Sequence, residues 1–173
     1  YQHDAFGNLI QSTDALQNKV VIAYDTRGRK VQMTDPDAGV VAYCYDAVGQ
    51  LKAQQTSNMR GSHSPAACPT TSDAGTVATN VPNWTMLAYD RLGRMTSRAE
   101  PEYSSAWTFD TCTTGRGKLC QTSTTHGVNR QIVYDNKGRP LSSRTDVSTG
   151  PSVATAVSYD ANTFDNDVWA TWR

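Results

Sequence analysis

The sequence lacks a long apolar run, a net charge and any segment with helical periodicity of useful length. No stretch of about 18 apolar residues occurs, so nothing in it predicts a membrane span. Its 16 basic and 16 acidic residues balance, which argues against a nucleic-acid ligand, since such a ligand needs a positive field. Only 38% of the 173 residues are hydrophobic, a fraction typical of a thin sheet with one wet face.

Cysteine is scarce, and its spacing is not that of a metal site. The four cysteines show no Cys-x-x-Cys spacing and the three histidines are scattered, so neither a metal nor a cofactor is predicted. Cys112 and Cys120 flank a glycine-containing turn, where they are expected to face each other as a disulfide. Cys44 then pairs with Cys68 by elimination. The alternative is four buried free thiols in a reducing compartment.

What the sequence does have is one short sequence motif that recurs, called here the recurring phrase. It reads Tyr-Asp-Thr-Arg-Gly-Arg at residues 24–29, and good copies start at Tyr45, Tyr89 and Tyr134. Degenerate copies start at His3, Phe109 and Tyr159. The intervals from Asp4 to Asp25 and from Asp25 to Asp46 are both 21 residues. A period near 20 residues is typical of stacked repeats.

The chemistry of the phrase predicts a β-turn. An Asp at the first position can accept hydrogen bonds from amides further along the turn, and a Gly three residues later suits a left-handed backbone. The Arg after this Gly is expected to face the Asp across the hairpin. The predicted structural turn residues are Asp25, Gly28, Arg29, Asp46, Gly49, Asp90, Gly93, Arg94, Asp135, Gly138 and Arg139.

Residues 17–34 indicate the repeating unit. Val20–Tyr24 is predicted to be the first strand of a hairpin and is rich in β-branched residues. Lys30–Met33 is predicted to be its second strand, with alternating apolar and polar residues. The predicted fold is therefore all-β, with tandem antiparallel hairpins in a continuous curled sheet strip. We expect residues 1–173 to be a single repeat array interrupted by a loop insert at 56–83. Because the chain begins inside a repeat, we expect it to be a piece of a longer protein.

The repeated phrase resembles the YD repeat of the RHS family, from Asp4 to Asp160. Phe109 in place of Tyr, and Asn8 and Gln50 in place of Arg, depart from the pattern. The resemblance implies a secreted or cell-surface protein related to polymorphic toxins, toxin-complex subunits, wall-associated proteins or teneurin-like adhesion proteins. It also implies that the repeats form a shell around an effector and carry no catalytic residues.

Two functions follow as expectations. The first is a structural β-shell segment whose partners are further repeats of the same parent chain and a toxin cargo. The second is an extracellular surface for glycan or a partner protein, or a polymer whose copies add edge to edge. Four tryptophans are candidates for stacking on sugars, although packing across strands is the simpler expectation: Trp84, Trp107, Trp169 and Trp172.

No catalytic or metal site is predicted from the acids and nucleophiles. Asp35 and Asp37 surround Pro36, a pattern that favours a return turn over an acid–base pair. The sequence 165–167 has the oxygens for Ca²⁺, but it lacks the glycine and the later glutamate of a calcium loop. Ser62 and His63 are adjacent without an identifiable third partner.

Overall fold

A computed structural model of the chain describes residues 1–60, 67–69, 83–148, 153–158 and 169–172. In these ranges, fourteen strands follow one another in chain order, and each is hydrogen bonded to its neighbour in sequence. The strands are β1 (Gln2–His3), β2 (Leu9–Thr13), β3 (Lys19–Tyr24), β4 (Lys30–Asp35), β5 (Gly39–Tyr45), β6 (Leu51–Gln55), β7 (Thr85–Tyr89), β8 (Met95–Ala99), β9 (Ser104–Phe109), β10 (Leu119–Thr124), β11 (Val128–Tyr134), β12 (Pro140–Val147), β13 (Val153–Ser158) and β14 (Trp169–Trp172).

The predicted all-β fold of tandem antiparallel hairpins is confirmed. Among the described residues, helix is confined to one turn, α1 (Ser57–Arg60). Among the described strands, β1 and β14 stand at the two ends of the strand order, and each pairs with one neighbour.

The hairpin registers centre on the recurring phrase. Tyr24 lies opposite Lys30, and Tyr45 lies opposite Leu51, and in each hairpin the facing strand carries one extra residue next to that pair. A bulge places one extra residue in a strand and increases its local twist. The turn therefore sits in the same position relative to the strands in both hairpins.

The chain divides into two compact units. The first comprises residues 1–88 and 99–101, and the second comprises residues 89–98 and 102–173. No helix among the described residues is long and apolar enough to cross a membrane.

Burial in the first unit is concentrated on one face of β5–β7. Cys44 lies opposite Ala53, and Ala53 lies opposite Met86, so the three side chains form a row across adjacent strands. Cys44, Ala53 and Met86 are only 2%, 0% and 3% exposed. The full cluster of buried residues is Ala42, Cys44, Ala53, Trp84, Met86 and Ala99.

The two ends of the predicted insert 56–83 contact this part of the sheet. Ser57 donates its hydroxyl to the Ala38 carbonyl (2.6 Å), and the Gln55 side chain donates to the carbonyl of Asn83 (3.1 Å). Cys68 is bonded to Cys44 (S–S 2.03 Å), which fastens the middle of the insert to β5. Residues 61–66 and 70–82 of the insert lie outside the described residues.

Candidate functional site: the tyrosine–aspartate turns

Each recurring turn is organised by one aspartate. One carboxylate oxygen of Asp25 accepts the amides of Arg27 and Arg29, both at 2.9 Å, and the other accepts Nε of Arg29 at 2.7 Å. The backbone closes the loop, because the Asp25 amide donates to the Arg29 carbonyl and the Gly28 amide donates to the Asp25 carbonyl. Asp25 and Arg29 therefore meet across the hairpin end.

The same loop recurs at the other predicted turn residues. Asp90 with Arg94 and Asp135 with Arg139 form equivalent ion pairs. Asp46 accepts the Gln50 amide at 2.7 Å. The glycines at the fourth position have φ angles of +73°, +98°, +78° and +75° at Gly28, Gly49, Gly93 and Gly138, which side chains with a β-carbon resist.

The hydrogen bonds within the turn affect the aspartate electrostatically. The Arg29 backbone amide, and then its guanidinium, hold the pKa of Asp25 below its usual value despite an opposing desolvation effect. In the first turn, the Asn8 side chain and backbone amide lower the pKa of Asp4. The carboxylates are therefore stabilised as anions by the turn itself, which is a structural use of the charge.

A second set of contacts joins each turn to the next repeat. The Arg29 guanidinium lies 4.7 Å from the ring centroid of Tyr45, and its Nη1 donates to the Asp46 carbonyl at 3.3 Å. The Tyr45 hydroxyl in return donates to the Lys30 carbonyl at 2.9 Å. We call this set of contacts between consecutive turns a seam.

The tyrosine part of the seam is repeated at constant spacing. The hydroxyls of Tyr24 and Tyr134 donate to the carbonyls of Leu9 and Leu119 at 3.0 and 2.8 Å, in each case 15 residues earlier. Each of these carbonyls belongs to the residue that follows the preceding turn. The phrase thus specifies both a turn and its attachment to the hairpin before it.

The longer turn 110–118 is joined to the preceding turn by different groups. Phe109 has no hydroxyl, but the Arg94 guanidinium lies 4.4 Å from its ring centroid and binds both carboxylate oxygens of Asp110. Cys112 and Cys120 are joined by a disulfide (S–S 2.06 Å). Gly115 lies against this disulfide so closely that a β-carbon would overlap the sulfur of Cys112.

Sequence reasoning missed that some return turns at the opposite edge adopt the same loop. Asp14 accepts the Asn18 amide and its side-chain Nδ2, both at 2.8 Å, although the left-handed position is occupied by Gln17 at φ +67°. At the β10–β11 return, Thr124 takes the place of the aspartate and its hydroxyl oxygen accepts the Val128 amide. The usable signal in the first case was an Asp followed by Asn four residues later, without the glycine.

The acids considered for catalysis are turn residues where the structure describes them. The Asp35 carboxylate accepts the amides of Asp37 and Ala38 at 2.8 and 2.9 Å. Residues 62–63 and 165–167 lie outside the described part of the chain. Within the described part, no group of three or more His, Cys, Asp or Glu residues is arranged to hold a metal ion.

The tryptophans differ in their placement. Trp84 is 3% exposed and belongs to the buried cluster, so it has no surface for stacking on a sugar. Trp107 is half-buried in β9. Trp169 and Trp172 lie in β14, where the structure describes the backbone pairing with β13.

Comparison with known proteins agrees with this geometry. An RHS repeat family model matches residues 3–40. The crystal structure of TcdB2-TccC3-TEV matches 93% of this chain with a TM-score of 0.59, and that of TcdB2-TccC3-Cdc42 matches 92% with a TM-score of 0.61. Both are 14% identical to this chain, which spans 8% of each of those chains. The comparison with curated proteins gave no match.

The fold and its turns define a β-hairpin repeat protein. Residues 3–40 match the RHS repeat model, so the resemblance to the RHS family inferred from the recurring phrase is confirmed. The match in sequence covers the recurring turns of Asp4 and Asp25, while the match in fold extends over most of the chain. These findings support a structural role as RHS repeats.

Proposed function

We propose that this chain is a wall segment of a secreted RHS-type protein that encapsulates or carries a toxin effector. The observation that carries the proposal is the seam, in which consecutive turns bind each other through Arg29, Tyr45 and the Lys30 carbonyl. The polar groups of the recurring phrase bind one another within a turn and between consecutive turns. In this proposal these contacts join the repeats into a continuous wall. In this proposal the repeats themselves catalyse no reaction.

The cysteine pairs support an extracellular or cell-surface location. Disulfides persist in oxidising compartments and are rare in the cytosol. The structure contains two pairs at bonding distance, Cys44–Cys68 and Cys112–Cys120, and both pin loops onto the sheet. Export therefore fits the chemistry of the chain as well as the family resemblance.

The test is to image the native protein that contains this chain, by electron microscopy of purified particles. The proposal expects a hollow particle whose wall is a β-sheet and whose interior holds polypeptide density. A matched sample in which Tyr45 and Arg29 are both replaced by Ala is expected to give broken or collapsed particles. An extended solid particle, or a shell with an empty interior in every preparation, would contradict encapsulation.

A second candidate function, self-assembly, is favoured by the open edges of the sheet. Among the described strands, β1 and β14 each pair with one neighbour, and an edge strand is a template for another strand. Further repeats of the same parent chain, or other copies of this chain, are the partners that match these edges. Light scattering of the isolated chain over a concentration series tests this, since growth with concentration supports copies adding edge to edge and a monomer at every concentration contradicts it.

A further inference from the structure

The seam between the first two turns contains an open cleft. Its volume is about 570 Å³, and it lies beside the ring of Tyr24. Among the residues that line it are Asp4, Phe6, Asn8, Ile10 and Ile22. The lining thus combines carboxylate, aromatic and apolar side chains.

Equivalent positions in two other seams are filled by an arginine of the chain itself. The Arg29 guanidinium lies over Tyr45 at 4.7 Å, and the Arg94 guanidinium lies over Phe109 at 4.4 Å. In both cases this arginine also binds the aspartate of its own turn, at 2.7 Å for Arg29 and 2.6 Å for Arg94. The molecule therefore shows twice what kind of group fits between an aromatic ring and a turn aspartate.

The first seam has Asn8 where the others have arginine. Its Nδ2 binds Asp4 at 2.9 Å, so the short side chain is held at its own turn. The asparagine amide lacks the length to lie over the Tyr24 ring as a guanidinium does. The cleft is the space that this shorter side chain leaves open.

The charges around the cleft favour a cation. Asp4 accepts hydrogen bonds from Asn8 and the Phe6 amide, and no Lys or Arg in the described part of the chain pairs with it. The lining holds two carboxylates, Asp4 and Asp25, and one cation, Arg27, whose Nη1 donates to the Ala47 carbonyl at 3.1 Å. The Tyr24 ring is fixed, because its hydroxyl already donates to the Leu9 carbonyl.

We propose that this cleft binds an arginine side chain of a partner polypeptide. The guanidinium lies over the Tyr24 ring and donates to the Asp4 carboxylate, as Arg29 does with Tyr45 and Asp25. Phe6, which is 91% exposed, covers the aliphatic part of the incoming side chain. Arginine is favoured over lysine, because its planar guanidinium stacks on a ring while its N–H groups still reach a carboxylate.

The experiment is a titration of the whole chain with N-acetyl-arginine amide, followed through the ring signals of labelled tyrosine in NMR spectra. The Tyr24 signals are expected to shift in a saturable manner. N-acetyl-citrulline amide has nearly the same shape without the charge, and it is expected to leave them unchanged. An equal response to both probes, or no response to the arginine probe, would overturn the proposal.

Two variants locate the site. Asn8→Arg places the chain's own guanidinium in the cleft and should abolish binding, while Asn18→Arg makes the same change in the Asp14 turn at the other edge and should leave binding intact. Asp4→Asn keeps an acceptor for the turn but removes the charge, and should weaken binding by about tenfold, equivalent to about 1.4 kcal/mol. Full binding by the Asn8→Arg variant, or equal losses in the Asn8 and Asn18 variants, would contradict the assignment.

Discussion

The hairpins β3–β4 and β5–β6 share one turn design but differ in what covers them. Val21 and Ala42 both lie four residues before the turn aspartate, and they are 44% and 7% exposed. Cys44 lies two residues before its aspartate and is 2% exposed, whereas Ala23 at the same position is exposed. The recurring phrase therefore sets the hairpin backbone, while burial depends on segments added outside the repeat.

The two hairpins therefore draw their stability from different interactions. In the bare hairpin β3–β4, stability comes from the turn, the ladder and the seam. In the covered hairpin β5–β6, the disulfide to Cys68 and the packing of Trp84 add a buried cluster. A sheet with one solvent-exposed face buries little apolar area by itself. The added buried cluster therefore makes a large contribution to the free energy of folding.

Removing the disulfide of the covered region should have the largest effect. By loop entropy, the double variant Cys44→Ser and Cys68→Ser loses about 3.5 kcal/mol of unfolding free energy, and Cys112→Ser with Cys120→Ser loses about 2.5 kcal/mol. The sequence separations are 24 and 8 residues, and the longer loop gains more from closure. Urea denaturation of both variants measures this, and a greater loss from the shorter loop would contradict it.

A core substitution sharpens the same contrast. Met86→Ala in the covered region is expected to lower the unfolding free energy by about 2–4 kcal/mol, because Met86 is 3% exposed and packs against the cluster. Met33→Ala, at a half-buried position of the bare hairpin, should cost about 1 kcal/mol or less. Equal losses in thermal or urea unfolding would mean that the cover adds no real packing.

The turn glycines should behave alike in both regions. Gly28→Val and Gly49→Val are each expected to cost about 1–3 kcal/mol, because both residues have positive φ angles that a branched side chain resists. The control Val48→Ala changes an 82% exposed side chain in the same turn and should cost about 0.5 kcal/mol or less. A loss in only one of the two glycine variants would show that the turn depends on the cover.

The smallest predicted effect isolates the seam. Tyr45→Phe removes the hydroxyl that donates to the Lys30 carbonyl and keeps the ring under Arg29, so it should cost about 0.5–1.5 kcal/mol. Tyr1→Phe, at an 89% exposed position, is the matched control and should be neutral in the same unfolding assay. If Tyr45→Phe is also neutral, the hydroxyl contact contributes nothing to the joining of repeats.

The turns and the strand order could be predicted from the sequence because their contacts are local. An aspartate and a glycine three residues apart determine the loop, and a hairpin pairs neighbouring strands. The Asp14 turn was missed since Gln17 adopts the left-handed backbone that glycine usually supplies.

The seam was not predicted, and neither was its cleft. The contact of Arg29 with Tyr45 joins two turns that are separated in sequence, and it depends on how neighbouring hairpins align. The cleft beside Tyr24 is present because Asn8 is shorter than the arginines at the same position of two other seams. This comparison requires the structure of those seams.

The central claim is that both hairpins have the same turn, whereas only β5–β6 is stabilised by the segments that cover it. Hydrogen exchange in the native state, read by mass spectrometry on peptides from the two hairpins, tests this claim most directly. We predict that amides of β5 and β6 exchange at least about tenfold more slowly than those of β3 and β4. The amides of Arg29 and Gln50, which donate to Asp25 and Asp46, should be protected in both hairpins. Equal exchange in the two hairpins, or unprotected turn amides, would contradict this account.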